Sequence, residues 1–209
     1  WIRVLYMYPG KITDELIEEF KTNPKLCRYF DIPLQHISDK MLKAMNRRGD
    51  QKLITSIITK IRNMMPEAII RTTLIVGFPG ETEEEFEETL TLAEEVEYDS
   101  AFTFLYSVRD GTPAAKREDQ VPEDEKHARF NRLVDSINTT SAKKNAEYVG
   151  RIERVLVDGA SRSKEGTYEG RTDGFKLVNF TGGPGLEGKF VNVRITDSNT
   201  FSLTGEVVD

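Results

Sequence analysis

The stretch at residues 72–90, TTLIVGFPGETEEEFEETL, runs an apolar segment into a Gly-Pro-Gly turn and then into a glutamate-rich segment. The run at residues 72–77 is typical of a buried strand, and Thr82 followed by Glu85 is a capping-box pair that predicts a helix from Glu83. A strand that ends in a tight glycine turn brings bare backbone to the carboxyl edge of a sheet, where parallel α/β folds bind their ligands. We therefore expect a ligand site at this turn.

Strand-like and helix-like runs alternate on both sides of this stretch, over roughly the first 144 residues. Apolar runs predict strands at residues 2–8, 28–35, 68–77 and 100–107, and periodic runs predict helices at residues 13–21, 39–46, 50–65, 83–96 and 122–148. Near-continuous apolar strands in this order indicate a parallel sheet covered by helices. The predicted fold class of this part is α/β.

The pattern changes near residue 150, where short alternating runs are separated by turns rich in glycine. Nine of the fifteen glycines lie beyond residue 150. The runs at residues 151–160, 166–172, 175–180, 188–198 and 200–208 predict short strands. We expect a small all-β barrel, of a kind that often binds single-stranded or looped nucleic acid, with a purely structural cap as the alternative.

Composition limits the classes of function. The formal net charge is -6, so bulk charge does not draw the chain to nucleic acid or to a membrane, and any contact with a polyanion must come from a local patch. No apolar run approaches the roughly 20 residues that a membrane helix needs. Cys27 is the only cysteine, which predicts neither a disulfide framework nor a metal site in this chain. We predict a cytoplasmic protein with no membrane contact.

Two polar residues stand inside strands that are otherwise apolar. Arg71 lies within the run at residues 68–77, and Gln35 ends the run at residues 28–35. A polar side chain in a packed sheet needs a partner, so each residue has either an internal partner or a ligand contact. The chain shows no Ser-His-Asp order, zinc-ligand spacing or phosphate-binding loop, and we assign no catalytic residue from the sequence.

Four stretches together resemble the methylthiotransferases of the radical S-adenosylmethionine (SAM) superfamily. They lie at residues 29–49 (YFDIPLQHISDKMLKAMNRRG), 69–90, 101–135 and 170–180 (GRTDGFKLVNF). The resemblance implies the later part of a TIM-like partial barrel over residues 1–144 and a small all-β TRAM domain, which binds RNA or substrate, over residues 145–209. It also implies SAM and two 4Fe-4S clusters in the full-length enzymes. The cluster cysteines are absent here, so we expect this chain to be inactive without an N-terminal region that bears the clusters.

The resemblance implies residue roles as well. The cofactor contacts it predicts are Gln35, Arg71, Ile75, Val76, Gly77, Gly80 and Ser107. The contacts it predicts for substrate or RNA are Arg109, Arg171, Lys176 and Asn179. Phe175 or Phe180 would be available to stack on a base, unless they belong to the barrel core.

Two substrates remain open at this stage. Residues 1–10 and 31–38 look more like the enzymes that modify an aspartate of a small-subunit ribosomal protein. Residues 98–116 and 170–180 look more like those that modify isopentenyladenosine in tRNA. We favour the anticodon stem-loop of tRNA, because substrate capture should involve the TRAM domain. A third hypothesis is a binding module in which the barrel portion is only a scaffold for RNA capture.

Overall fold

The computed structural model describes residues 1–161 and 166–208. Its first part contains a parallel sheet of three strands, in the order β1 (Tyr29–Gln35), β2 (Ile69–Val76) and β3 (Ser100–Leu105). Register pairs Tyr29 with Ile69 and Arg71 with Ser100, so the amino ends of the strands share one edge of the sheet and the carboxyl ends share the other. This confirms the α/β class for the first part of the chain.

The helices cover one face of the sheet. They are α1 (Asp14–Thr22), α2 (Asp39–Ala44), α3 (Gln51–Met64), α4 (Glu83–Val96) and α5 (Glu123–Ala146). The Thr82 side chain accepts a hydrogen bond from the Glu85 amide, and the Glu85 carboxylate accepts one from the Thr82 amide, which completes the predicted capping box of α4. No helix within the described ranges has the length and apolar character needed to cross a membrane.

The core of this part lies between the sheet and the helices. Fully or almost fully buried side chains from each layer meet there, among them Phe20, Phe30, Ile61, Leu74, Phe86 and Leu133. The opposite face of the sheet is more open, since Phe102 and Phe104 of β3 are about half exposed. This open face is therefore available to line cavities.

The strand predicted at residues 2–8 does not form. Only an isolated bridge joins Ile2 to Leu26, and the Met7 amide donates to the Asp31 carbonyl at 2.8 Å. Tyr6 has a φ of 57°, which interrupts an extended backbone, and Pro9 begins a short 3₁₀ turn. The segment lies alongside the start of β1 but does not pair regularly with it.

The second part is a closed β-barrel. Its strands are β4 (Ile152–Ala160), β5 (Thr167–Thr172), β6 (Leu177–Thr181), β7 (Phe190–Ser198) and β8 (Ser202–Val208), in the order β4-β5-β6-β8-β7. Val155, Val178, Val193 and Leu203 form its core together with Phe180, which is 1% exposed. The predicted all-β barrel is confirmed, and Phe180 belongs to its interior.

The barrel packs on the amino edge of the sheet. Arg3 donates hydrogen bonds to the carbonyls of Thr172 and Asp173 at 3.0 and 2.8 Å. Lys176 Nζ donates to the carbonyl of Asp99, which directly precedes β3, at 3.3 Å. The carboxyl edge, where a ligand was expected, therefore lies at the other end of the sheet.

Candidate functional site

The carboxyl ends of the three strands border a cavity of about 800 Å³. Gln35, Ile75 and Leu105 come from the ends of β1, β2 and β3, and Phe78 follows the β2 turn. Ser107 and Arg109 lie in the segment after β3 and line the same cavity. Its size and its apolar lining with a few polar groups are typical of cofactor sites.

Gln35 lies between this cavity and a smaller one of about 480 Å³. Its φ of 75° is left-handed, and the pairing of β1 with β2 shifts between Ile32 and Gln35. Such a conformation is uncommon for a residue other than glycine and is found often at functional sites. Thr73, Arg47 and Phe104 line both cavities as well, so the two spaces adjoin along the open face of the sheet.

The glycine turn after β2 packs against protein on its far side. Gly77 and Gly80 both have a φ of 78°. A Cβ atom on Gly77 would lie 2.1 Å from Cγ of the buried Lys126, and one on Gly80 would lie 2.3 Å from Nη2 of Arg117. Both positions therefore require glycine for conformation, and Gly77 requires it for space as well, because Lys126 is buried whereas the ends of Arg117 and Asp119 are partly exposed and can move. The segment at residues 117–126 covers the two glycines.

The buried side chain of Glu81 stabilises this turn through hydrogen bonds. Its buried carboxylate accepts a hydrogen bond from the Gly77 amide at 2.9 Å and another from Nη1 of Arg129 at 3.1 Å. Nε2 of His36, a residue that is 1% exposed, lies 3.5 Å from Oε2 of Glu81. The sequence motif marked the glycines, but it did not reveal that a buried glutamate accepts from the Gly77 amide, with a buried histidine beside that glutamate.

Arg129 joins the turn to α4 and α5. Its Nε donates to Glu83 at 2.8 Å and its Nη2 donates to Glu125 at 3.3 Å. Burial works against its charge, but the hydrogen bond to Glu83 and the charge of Glu81 raise the pKa of Arg129 above its ordinary value. The Arg129 guanidinium in turn lowers the pKa of Glu83.

Arg71 lies on the open face of the sheet but toward its amino end. Its Nε and Nη2 donate to the two carboxylate oxygens of Asp31 at 3.0 and 2.8 Å. Its guanidinium also stacks 4.5 Å from the ring of Phe102. Arg71 therefore has the internal partner that one reading of the sequence required. Val76 is 1% exposed and packs in the core behind the cavity.

Of the predicted cofactor contacts, the large cavity brings together Gln35, Ile75 and Ser107, and it adds Arg109 from the predicted substrate set. The other predicted substrate residues lie on the barrel. Arg171 of β5 stacks 4.8 Å from the Phe175 ring and remains partly exposed. Asn179 is half-buried in the middle of β6. Lys176 is 9% exposed at the interface with the sheet, and burial lowers its pKa.

Comparison with known proteins adds to this geometry. The Radical SAM superfamily profile matches residues 1–93, and the TRAM domain profile matches residues 146–208. A tRNA-2-methylthio-N(6)-dimethylallyladenosine synthase of Clostridium botulinum strain Langeland is 53% identical over 207 residues, which are 99% of this chain and 46% of that protein. Over nearly its whole length the chain resembles the radical SAM methylthiotransferases. Proteins of the same name from Clostridium novyi strain NT and Clostridium perfringens strain SM101 are 47% and 46% identical.

The chain spans 46% of the length of these curated relatives. The solved structure of coproporphyrinogen III oxidase from Escherichia coli, a radical SAM enzyme, superimposes with a TM-score of 0.55 at 14% sequence identity. It covers 82% of this chain and 46% of the other. At that identity the likeness concerns the fold alone.

The match to the Radical SAM superfamily implies SAM and iron-sulfur chemistry. Iron-sulfur clusters are held by several cysteine thiolates. Cys27 is buried, its burial raises its pKa, and within the described ranges no group of three or more His, Cys, Asp or Glu side chains is placed to hold a metal ion. The described residues therefore do not fit a cluster, whereas the cavity at the carboxyl edge fits an organic cofactor.

Proposed function

We propose that this chain supplies the later part of the catalytic barrel and the TRAM domain of a methylthiotransferase. The enzyme would add a methylthio group to isopentenyl-modified adenosine beside the tRNA anticodon, in the cytoplasm. The observation that carries this proposal is the 53% identity over 207 residues to a tRNA-2-methylthio-N(6)-dimethylallyladenosine synthase. We place the boundary between the two domains at residues 144 and 145, near the end of α5.

We propose that the cavity at the carboxyl edge holds SAM. Ile75 and Phe78 offer apolar surface to the adenosine, while Gln35, Ser107 and Arg109 offer polar contacts. SAM supplies the sulfonium that radical chemistry cleaves. Val76, Gly77 and Gly80 would act from behind the cavity by holding the strand and the turn that border it. Arg71 would act from the open face, where its pair with Asp31 joins β2 to β1. We further propose that residues other than those described here ligate the two clusters.

For the substrate, we propose that the anticodon stem-loop contacts the TRAM barrel through Arg171 and Asn179. A guanidinium suits phosphate and a side-chain amide suits a base edge. Lys176 would then help to hold the barrel against the sheet, since its ammonium group donates a hydrogen bond to the carbonyl of Asp99. An aspartate-bearing loop of a small-subunit ribosomal protein is the competing substrate.

A binding titration tests this proposal. The chain is titrated with an anticodon stem-loop that carries isopentenyladenosine, at two salt concentrations, with a peptide from the ribosomal protein loop as competitor. We expect RNA binding that weakens with salt, and we expect Arg171→Ala to reduce both the affinity and the salt slope, the latter by about 1. Arg28→Ala is the matched control, because Arg28 forms an exposed ion pair with Glu67 near the same edge of the sheet.

Two results would contradict the proposal. If the peptide binds and the RNA does not, the substrate is the ribosomal protein. If Arg171→Ala and Arg28→Ala behave alike, RNA recognition does not use the predicted TRAM surface.

A further inference from the structure

A separate cavity of about 260 Å³ lies where the barrel meets the sheet. We call it the interdomain cleft. The sheet contributes Tyr29, Arg71 and Phe102, α5 contributes Asn145, and the barrel contributes Arg171 and Phe201. It lies at the amino edge of the sheet and is therefore distinct from the cavity proposed for SAM.

Two buried polar atoms of the cleft lack partners. The hydroxyl oxygen of Tyr29 and the amide oxygen of Asn145 have no hydrogen-bond partner among the described residues, although the two residues are only 1% and 3% exposed. Burial raises the pKa of Tyr29 to about 12, so the hydroxyl keeps its proton and can donate. Buried polar groups are normally paired, so an unpaired donor and an unpaired acceptor on two residues that line one cavity point to a ligand.

Rings and guanidinium groups alternate in a stack that borders the cleft and passes through Arg3, which does not itself line it. The stack runs through Arg171, Phe175, Arg3, Tyr29, Arg71 and Phe102, with distances from guanidinium carbon to ring centroid of 4.8, 4.4, 5.4, 5.7 and 4.5 Å in that order. Phe102 ends the stack at the open face of the sheet and is about half exposed. The inner groups cover one another, so the Phe102 end of the stack offers the ring on which a base can stack.

Phe201 lies at the mouth of the cleft and is 76% exposed. Its turn is held in place, because Asn145 Nδ2 donates to the carbonyls of Asn199 and Thr200 at 2.8 and 3.1 Å. The Phe201 amide also donates to the side chain of Asn199 at 2.8 Å. A large apolar ring held exposed on an anchored turn indicates a contact surface.

Three basic side chains line the cleft, and two of them already have an acidic partner. Arg71 is paired with Asp31 at 2.8 Å, and Arg171 lies 3.4 Å from Asp158. The third, Lys176, is buried at the interface with the sheet. Arg171 remains 35% exposed, so it is the basic group of the cleft that a phosphate can reach beside an exposed ring.

We propose that the interdomain cleft binds an unpaired nucleobase of the RNA substrate, other than the base that is modified. Phe201 stacks on this base, Tyr29 and Asn145 hydrogen-bond its edge, and Arg171 lies beside its phosphate. The inference rests on the proposed function, since it assumes an RNA substrate. An apolar peptide would leave the Tyr29 and Asn145 atoms unpaired, and a free phosphate would make no use of the exposed rings.

Two variants test the cleft with little risk to folding. Phe201→Ala removes an exposed ring, and Tyr29→Phe removes only a hydroxyl that has no partner within the described part of the chain. Ile152→Ala is the control, because Ile152 is a half-exposed apolar residue of the barrel that does not line the cleft. The probe is the same anticodon stem-loop as in the titration above, now with a fluorescent label.

We expect Phe201→Ala to weaken RNA binding by about five- to a hundredfold, as the loss of one stacked base does. We expect Tyr29→Phe to weaken it severalfold, while its thermal midpoint stays at or above that of the parent chain. Both variants should keep the salt slope of the parent, because neither removes a charge; Arg171→Ala should lower that slope.

The outcomes separate the two proposals. If the parent chain binds RNA and Arg171→Ala weakens binding, but Phe201→Ala and Tyr29→Phe match Ile152→Ala, the cleft proposal is overturned and the tRNA assignment stands. If the parent chain binds no RNA at all, the proposed function fails and the cleft proposal fails with it.

Discussion

Gly77 combines two constraints in one residue at the turn that borders the proposed cofactor cavity. Its φ of 78° is left-handed, and a Cβ atom there would lie 2.1 Å from Cγ of Lys126. Lys126 is 3% exposed and has little room to move. We predict that Gly77→Ala lowers the free energy of unfolding by about 2–5 kcal/mol, the sum of a left-handed alanine and an overpacked contact.

Gly111 provides the matched control for this prediction. It has a φ of 82°, and no atom lies within 4 Å of the position a Cβ would take. Gly111→Ala should therefore lower the free energy of unfolding only by the cost of a left-handed alanine, about 1–2 kcal/mol. Urea unfolding of the two variants measures the difference. Equal losses would show that Lys126 does not confine Gly77.

Single residues show what the sequence can and cannot predict. Arg71 and Gln35 stand out as polar residues in apolar strands. Arg71 has the internal partner that this signal allowed, while Gln35 lines two cavities and its ligand contact stays a prediction. The partner of Arg71 is Asp31, which lies 40 positions away along the chain. Such a pairing depends on the register between β1 and β2, which is a tertiary property that one sequence does not specify.

At the scale of elements, α4 and α5 are joined by ion pairs that depend on pH. Glu83 accepts from Arg129 at 2.8 Å and also pairs with Arg132. The Arg129 hydrogen bond lowers the folded-state pKa of Glu83 below its ordinary value of 4.5. A lowered folded pKa stabilises the fold above about pH 4.5, and this contribution is lost as the pH falls through the folded pKa.

We predict that Glu83→Gln makes the chain less stable near neutral pH, by about 1 kcal/mol or less, because the Glu83 side chain is 48% exposed and water screens the pair. The variant and the parent should converge in stability below about pH 4.5. Glu88→Gln is the control, since Glu88 lies exposed on the same helix and takes part in no ion pair within the described ranges. Urea midpoints across the acid range test this, and parallel curves for parent and Glu83→Gln would contradict it.

Local signals explain why the helices were predictable. Thr82 caps α4 as its capping-box pattern indicated, and Thr13 and Asp50, where two helices were predicted to begin, cap α1 and α3. The apolar segment at residues 2–8 failed as a strand because apolar composition does not specify a pairing partner. Met7 is buried, whereas Ile2, Leu5 and Tyr6 are 54%, 45% and 74% exposed, and the backbone makes only scattered contacts with neighbouring segments. A strand at the edge of a sheet needs a neighbouring strand in regular register, and the periodicity of apolar residues in the sequence does not reveal that neighbour.

For the molecule as a whole, the sequence predicted two parts but not how they meet. Lys176 was expected to contact substrate, yet it is buried where the barrel packs on the sheet. The sequence offered no reason to assign a function to Phe201, since a phenylalanine in an alternating segment is usually a core residue. Both placements follow from docking of the barrel at the amino edge of the sheet, which involves residues far apart along the chain.

The docking interface itself supports a prediction. Gly174 lies in the turn between β5 and β6, and a Cβ atom there would lie 2.5 Å from Cγ1 of Ile69 at the start of β2. Gly183→Ala is the matched control, because no atom lies within 4 Å of its Cβ position, and neither glycine has a left-handed φ. We predict that Gly174→Ala displaces the barrel from the sheet and lowers the free energy of unfolding by about 1–3 kcal/mol. Gly183→Ala should change the free energy of unfolding by less than about 0.5 kcal/mol.

Calorimetry distinguishes a loosened interface from general destabilisation. If the two parts stabilise each other across this contact, Gly174→Ala should split the unfolding of the chain into two transitions, while Gly183→Ala should unfold as the parent does. Gly174 also lines the interdomain cleft, so the same variant should weaken RNA binding together with the loss of docking. A single unchanged transition for Gly174→Ala would mean that the turn relaxes without moving the barrel, and the interface would then depend on the hydrogen bonds of Arg3, Lys176 and Asn145 instead.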